Sequence, residues 1–92
     1  MLDSYNGRYY QLVGICLQRL KQYEAAIHYY RMALVNDPGE PMSLVYQGEC
    51  VIMTGEVDAG LVLVRQGAEA CSADPDDAPV ADRAKQLVQQ FG

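Results

Sequence analysis

The sequence has no tryptophan, one phenylalanine and one histidine, and only seven Lys plus Arg stand against twelve Asp plus Glu, giving a net charge of −5 over 92 residues. A net negative chain repels phosphate backbones and anionic lipid heads, so nucleic acid and membrane surfaces are excluded as expected partners. No apolar run approaches the roughly 20 residues that span a bilayer, and the opening Met1-Leu2-Asp3-Ser4 lacks the basic and apolar regions of a signal peptide. The expected location is the cytosol. Catalytic signatures are missing as well: there is no Ser-His-Asp set, no Gly-rich phosphate loop and no paired catalytic carboxylates. The sole His28 has no Cys, His or carboxylate at metal-ligand spacing and is expected on the outside of a helix. No enzymatic activity, cofactor or metal is therefore expected. Cys16, Cys50 and Cys71 are odd in number and embedded in apolar helical pattern, which argues for buried thiols and against disulfides or a zinc site. The acidic run Asp74, Asp76, Asp77 lacks the loop and distal Glu of an EF-hand; its carboxylates are expected to accept from the free N–H groups opening the last helix.

Half of the residues are apolar, enough for one small core, and the length leaves room for a single domain. Self-similarity organises it. Gly14-Ile15-Cys16-Leu17 and Gly48-Glu49-Cys50-Val51 stand 34 residues apart, the period of the tetratricopeptide repeat. With Gly7 as position 1, Tyr10 falls at position 4, Gly14 at 8, Leu17 at 11, Ala26 at 20, Tyr30 at 24, Ala33 at 27 and Pro38 at 32. The second repeat, from Pro41, places Leu44, Gly48, Val51, Gly60, Val64 and Gly67 in the same packing slots. Small residues at positions 8, 20 and 27 let two antiparallel helices approach, and large ones at 4, 11 and 24 fill the space between them. Proline at position 32 stops the second helix; in the second repeat Ser72 occupies that slot and proline is delayed to Pro75, so the fourth helix is expected to run slightly longer or to end irregularly.

The expected architecture is thus all-α: a tetratricopeptide (TPR) hairpin array of two repeats (7–40 and 41–74) with a capping helix (77–91). Helices are predicted over 4–20, 23–36, 41–53, 57–73 and 78–91. The last one aligns Val80, Ala84, Leu87, Val88 and Phe91 on one face, as an amphipathic helix lying over the end of a solenoid does.

In such an array the first helix of each hairpin lines a concave surface, and positions 2, 5, 6, 9, 12 and 13 lie away from the packing stripe. They are Arg8, Gln11, Leu12, Ile15, Gln18 and Arg19 in the first repeat, and Met42, Val45, Tyr46, Glu49, Ile52 and Met53 in the second, with Tyr5 and Tyr9 flanking. Met, Ile, Val and Tyr suit an extended peptide anchored by apolar side chains. Some TPR co-chaperones grip a terminal carboxylate with Lys and Asn at positions 5 and 9, where this sequence has Gln11 and Ile15, so a carboxylate clamp is not expected. Seven tyrosines fit a binding surface, since Tyr offers large contact area at small entropic cost.

The segment Leu2-Asp3-Ser4-Tyr5-Asn6-Gly7-Arg8-Tyr9-Tyr10 followed by Gly14, then Tyr23, Glu24, Ala26, Ile27, Tyr29 and Tyr30, and later Gly48-Glu49-Cys50 and Gly55-Glu56, resembles the type III secretion chaperones of the translocator class. The resemblance covers nearly the whole chain. It implies a bacterial cytoplasmic chaperone that keeps a hydrophobic translocator soluble by holding an extended segment of it in the concave groove; a general TPR adaptor joining soluble proteins is the other reading. Family members carry an N-terminal helical segment and a further repeat ahead of the part that matches here. About three repeats are usually needed for stability, so self-association as a homo-oligomer, or a bound partner, is expected of two hairpins and a cap.

Overall fold

The hairpin turns set the architecture. In a computed structural model, which describes residues 2–72 and 74–92, with side chains from residue 7 onward, α1 (Leu2–Arg19) turns back into α2 (Tyr23–Asn36), and α3 (Pro41–Met53) into α4 (Val57–Ala70). A short 3-10 turn at Pro75–Asp77 leads into α5 (Ala78–Phe91). The predicted Tyr5 side chain and the helix end at Ala73 lie outside the described residues.

The two hairpin turns are built alike. Gln22 N–H donates to Leu17 O at 2.9 Å and Lys21 N–H to Gln18 O at 2.9 Å, while Glu56 N–H donates to Val51 O at 3.2 Å and Gly55 N–H to Ile52 O at 2.9 Å. This paired closure satisfies the last helical carbonyls and needs a left-handed residue just past the helix. Gly55 (φ 103°) supplies it without a steric penalty, whereas Lys21 (φ 63°) stands in the equivalent place with a Cβ. Lys21→Gly is expected to leave stability unchanged or raise it by up to ~1 kcal/mol, the relief of left-handed strain being offset in part by a freer unfolded chain. Gly55→Lys should lower it, and thermal unfolding of the two variants checks both.

The packing slots behave as their register predicts. Ala26, Tyr30 and Ala33 of α2, with Leu44 and Val51 of α3, are buried, as are Gly60, Val64 and Gly67 of α4. Tyr10 and Leu17, in the corresponding slots of α1, are half-buried. The Tyr30 ring fills the space over Gly14, and its hydroxyl donates to Gln18 Oε1 at 2.7 Å. Burial raises the Tyr30 hydroxyl above the ordinary tyrosine range. At the start of α3 the Glu40 carboxylate accepts from Ser43 N–H (2.7 Å) and Met42 N–H (3.2 Å), with Pro41 at the first helical position.

Three expectations need correction. The fourth helix takes the irregular end and not the longer run to residue 73: it stops at Ala70, and Cys71 is already in extended backbone (ψ 136°). Ser72 explains the stop, because its N–H and Oγ both donate to the Asp77 carboxylate (2.8 and 2.9 Å), giving the chain a local alternative to another helical turn. The same bonds turn Asp77 backward, so it does not cap α5, and the Asp74 carboxylate accepts from Asp76 N–H, inside the 3-10 turn. These bonds hold the Asp77 carboxyl below its ordinary value.

The third correction concerns the thiols. Cys50 is buried and Cys71 half-buried, but Cys16 is exposed. Cys16 and Cys50 occupy the same repeat position; α2 and Tyr30 cover Cys50, whereas no described residue covers the corresponding face of α1, where Tyr9 (60% exposed) and Leu20 (66%) also lie bare. Burial, with a contribution from Glu49, pushes the Cys50 thiol up to about 12. Alkylation near pH 8 is therefore expected to modify Cys16 rapidly and Cys50 only after unfolding, a difference that mass spectrometry resolves; equal rates would contradict this packing. Since the thiolate is the reactive form, burial and a raised pKa act in the same direction.

Candidate functional site

Helices α1, α3 and α5 surround an open cavity of about 680 Å³. From α1 come Ile15, Gln18 and Arg19, from α3 Tyr46, Glu49 and Met53, and Tyr23 closes one end from α2. The remaining wall belongs to α5, through Pro79, Arg83, Gln86, Leu87, Gln90 and Phe91. Apolar side chains thus line both sides, with a polar station between them. Arg83 Nε donates to Glu49 Oε1 at 3.3 Å, its Nη2 pairs with Glu49 Oε2, and its Nη1 donates to Gln86 Oε1 at 3.0 Å. The hydrogen bond to Glu49 holds the guanidinium's proton more tightly than usual, raising Arg83 above its ordinary value.

Of the residues singled out from sequence, the structure brings Ile15, Gln18, Arg19, Tyr46, Glu49 and Met53 to this cavity. Others lie elsewhere. Val45 and Ile52 are buried among Leu61, Val64, Val80, Ala84 and Leu87, and Gln11 is buried with its amide donating to Glu40 Oε1 (2.6 Å) and Ser43 Oγ (3.1 Å). Gln11, Val45 and Ile52 thus lie at the seams between successive units, whereas Gln18, at position 12 of the first repeat, stays in the groove. Val45 and Ile52 consequently have no surface to offer a client. Met42 packs at the edge of the same core. Arg8 lines a second, smaller cleft of about 330 Å³ with Gln11, Asn36, Glu40 and Ser43. Tyr9 and Leu12 are exposed on α1 outside the main cavity.

The α5 wall is what the sequence reading missed by treating that helix as a cap alone. The signal was present: carrying the register one period further puts Pro79 at position 5, Arg83 at 9, Gln86 at 12 and Leu87 at 13. Arg83 and Glu49, one 34-residue period apart in sequence and bonded to each other, are successive rungs of the same ladder that begins at Ile15. Helix α5 is thus the first helix of a third unit. Its packing slots Ala78, Asp82 and Lys85 are exposed.

Among the described residues there is no group of His, Cys, Asp or Glu that could hold a metal ion, and no helix long and apolar enough to cross a membrane. The cavity is an open cleft lined by apolar side chains and one ordered ion pair. Paired helices in this register, with first helices around a concave cleft, define a TPR-type helical-repeat protein.

Comparisons with known proteins sharpen that class. No family model matches the chain. Low calcium response locus protein H of Yersinia pestis is 33% identical over 69 residues, 72% of this chain and 41% of the relative, so the chain spans about two fifths of that protein's length. The Yersinia enterocolitica type III secretion translocator chaperone SycD superposes with a TM-score of 0.86 at 27% identity, over 98% of this chain and 68% of SycD; it is also known in complex with a peptide of the translocator YopD, with a TM-score of 0.85. PcrH in complex with the chaperone binding region of PopB gives a TM-score of 0.80 at 30% identity, over 95% of this chain and 70% of PcrH. The chain belongs to the family of type III secretion translocator chaperones.

Proposed function

We propose that this protein is a non-catalytic chaperone of the bacterial cytoplasm that holds a hydrophobic translocator by an extended segment seated between α1, α3 and α5. The observation that carries the reading is the cavity itself: Ile15, Tyr46, Met53 and Phe91 present apolar surface from three helices around one cleft, with the buried Leu87 at its floor. Burying a client's apolar side chains there removes them from water, at roughly 25 cal/mol per Å², and keeps the same side chains from driving aggregation. An extended segment presents alternate side chains to one wall, which suits a cleft lined along its length and not closed over a single small ligand. SycD with a YopD peptide and PcrH with the chaperone binding region of PopB are relatives holding segments of their clients, which supports the same mode here.

The test is calorimetric titration of the chain with peptides tiled across candidate translocators. Saturable binding confined to one apolar tile is the expected result. Failure of every tile to bind a chain shown to be folded by circular dichroism would turn the reading toward an adaptor for soluble partners.

The bare face of α1 carries a further expectation. Tyr9, Cys16 and Leu20 leave apolar surface uncovered, and self-association would bury it. Sedimentation should show a dimer or larger species that dissociates on dilution, and Leu20→Glu should shift it toward monomer; a monomer of undiminished stability at every concentration would contradict the expectation.

A further inference from the structure

We infer that the groove selects a client segment carrying an acidic residue among its apolar anchors, and that the Arg83 guanidinium is the group that reads it. The inference rests on the peptide-binding role proposed above and names the chemistry of the peptide.

Charge is the first observation. The chain as a whole carries −5, yet the charged side chains lining the cavity are Arg19, Arg83 and Glu49, so the cleft has a positive balance inside a negative protein. Arg19 has no ion-pair or hydrogen-bond partner among the described residues. Opposite-sign focusing of this kind steers complementary partners and rejects like-charged ones.

Geometry is the second. Glu49 and Gln86 hold the Arg83 head on three sides of its fork, through Nε, Nη2 and Nη1, and its planar orientation is therefore fixed before a client arrives. Not all the N–H donors of a guanidinium are spent in those bonds. The Arg83 side chain remains 39% exposed while Glu49 is only 13% exposed, so the pair presents its cationic partner to the cavity and keeps its anionic partner behind. A carboxylate entering the groove meets pre-aligned donors and loses little to their ordering. Tyr46 and Met53 from α3 and Phe91 from α5 line the same cavity. The complementary ligand is an extended segment with apolar side chains flanking one Asp or Glu.

Synthetic peptides with Val, Leu and Met at alternating positions, and Asp, Asn or Lys at the centre, provide the probe. By calorimetric titration the Asp peptide is expected to bind about tenfold more tightly than the Asn peptide, as one charge-assisted hydrogen bond would give, and the Lys peptide weakest of the three. The Asp preference should shrink as salt is raised. In the double variant Glu49→Gln with Arg83→Gln, which removes both charges together, the three peptides should converge while apolar binding persists. Equal affinity of all three for the parent chain would overturn the acidic anchor and leave the peptide-binding groove standing. An Asp preference that survives in the double variant would overturn the assignment to Arg83. Binding of none of the peptides to the folded parent would overturn both the anchor and the groove.

Discussion

Gly60→Ala is expected to lower the melting temperature by more than about 10 °C, or to abolish the cooperative transition. A Cβ on Gly60 would lie 2.6 Å from Gly48 O, 2.9 Å from Ile52 N and 2.5 Å from Ile52 Cγ1. Two of those atoms are backbone and cannot rotate aside, so α3 and α4 would have to separate along their contact, and the rigid core would transmit that shift to Val64 and the α5 seam. Overpacking of this kind costs about 1–3 kcal/mol and occasionally more. A domain of this size has about 5–15 kcal/mol in all, and each kcal/mol is worth about 4–8 °C. Gly39→Ala is the control: the added Cβ meets nothing within 4 Å, and the variant should melt at the parent temperature or slightly above it. Circular dichroism melts of the two variants decide the matter; a Gly60→Ala protein as stable as the parent would contradict the close α3–α4 approach.

Met53→Asp is expected to weaken client binding by about a hundredfold while leaving the fold intact. Met53 lines the cavity and is half exposed, so the fold loses little when it is replaced. A bound apolar segment would lose the ~1.5–3 kcal/mol that a fully buried Met contributes and would also have to desolvate a carboxylate without a partner. Val35→Asp introduces the same charge on α2 at a site 81% exposed and outside the cavity, and it should bind as the parent does. Titration of both against the best-binding translocator tile, with their melting curves alongside, separates a groove effect from a folding effect. Equal loss in the two variants would point to net charge and not to the cleft.

The sequence made the hairpin packing readable because that packing is a backbone-distance requirement: Gly14, Gly48 and Gly60 sit where a Cβ would collide with a facing helix, and small residues at fixed spacing announce it. The groove was legible only in part. Val45 and Ile52 share a helix face with the groove positions until the next unit is docked, and only the docked α5 shows that they are sealed beneath it. Cys16 and Cys50 are indistinguishable by pattern; what differs is the presence of α2 over one and of nothing described over the other. The end of α4 depended on a local competition, Ser72 bonding to Asp77, that periodicity does not register. Arg83 and Leu87 could have been found from the register alone, since they repeat the positions of Glu49 and Met53 one period on.

The measurement that tests the account most directly is an amide chemical-shift map of the labelled chain during titration with the translocator tile that binds best. The largest changes are expected at Ile15, Tyr46, Met53, Arg83 and Phe91, on three helices around one cleft. Changes confined to the outer face of α1, around Tyr9, Cys16 and Leu20, or to the exposed sides of α2 and α4 around Val35 and Val62, would contradict the concave groove as the client site.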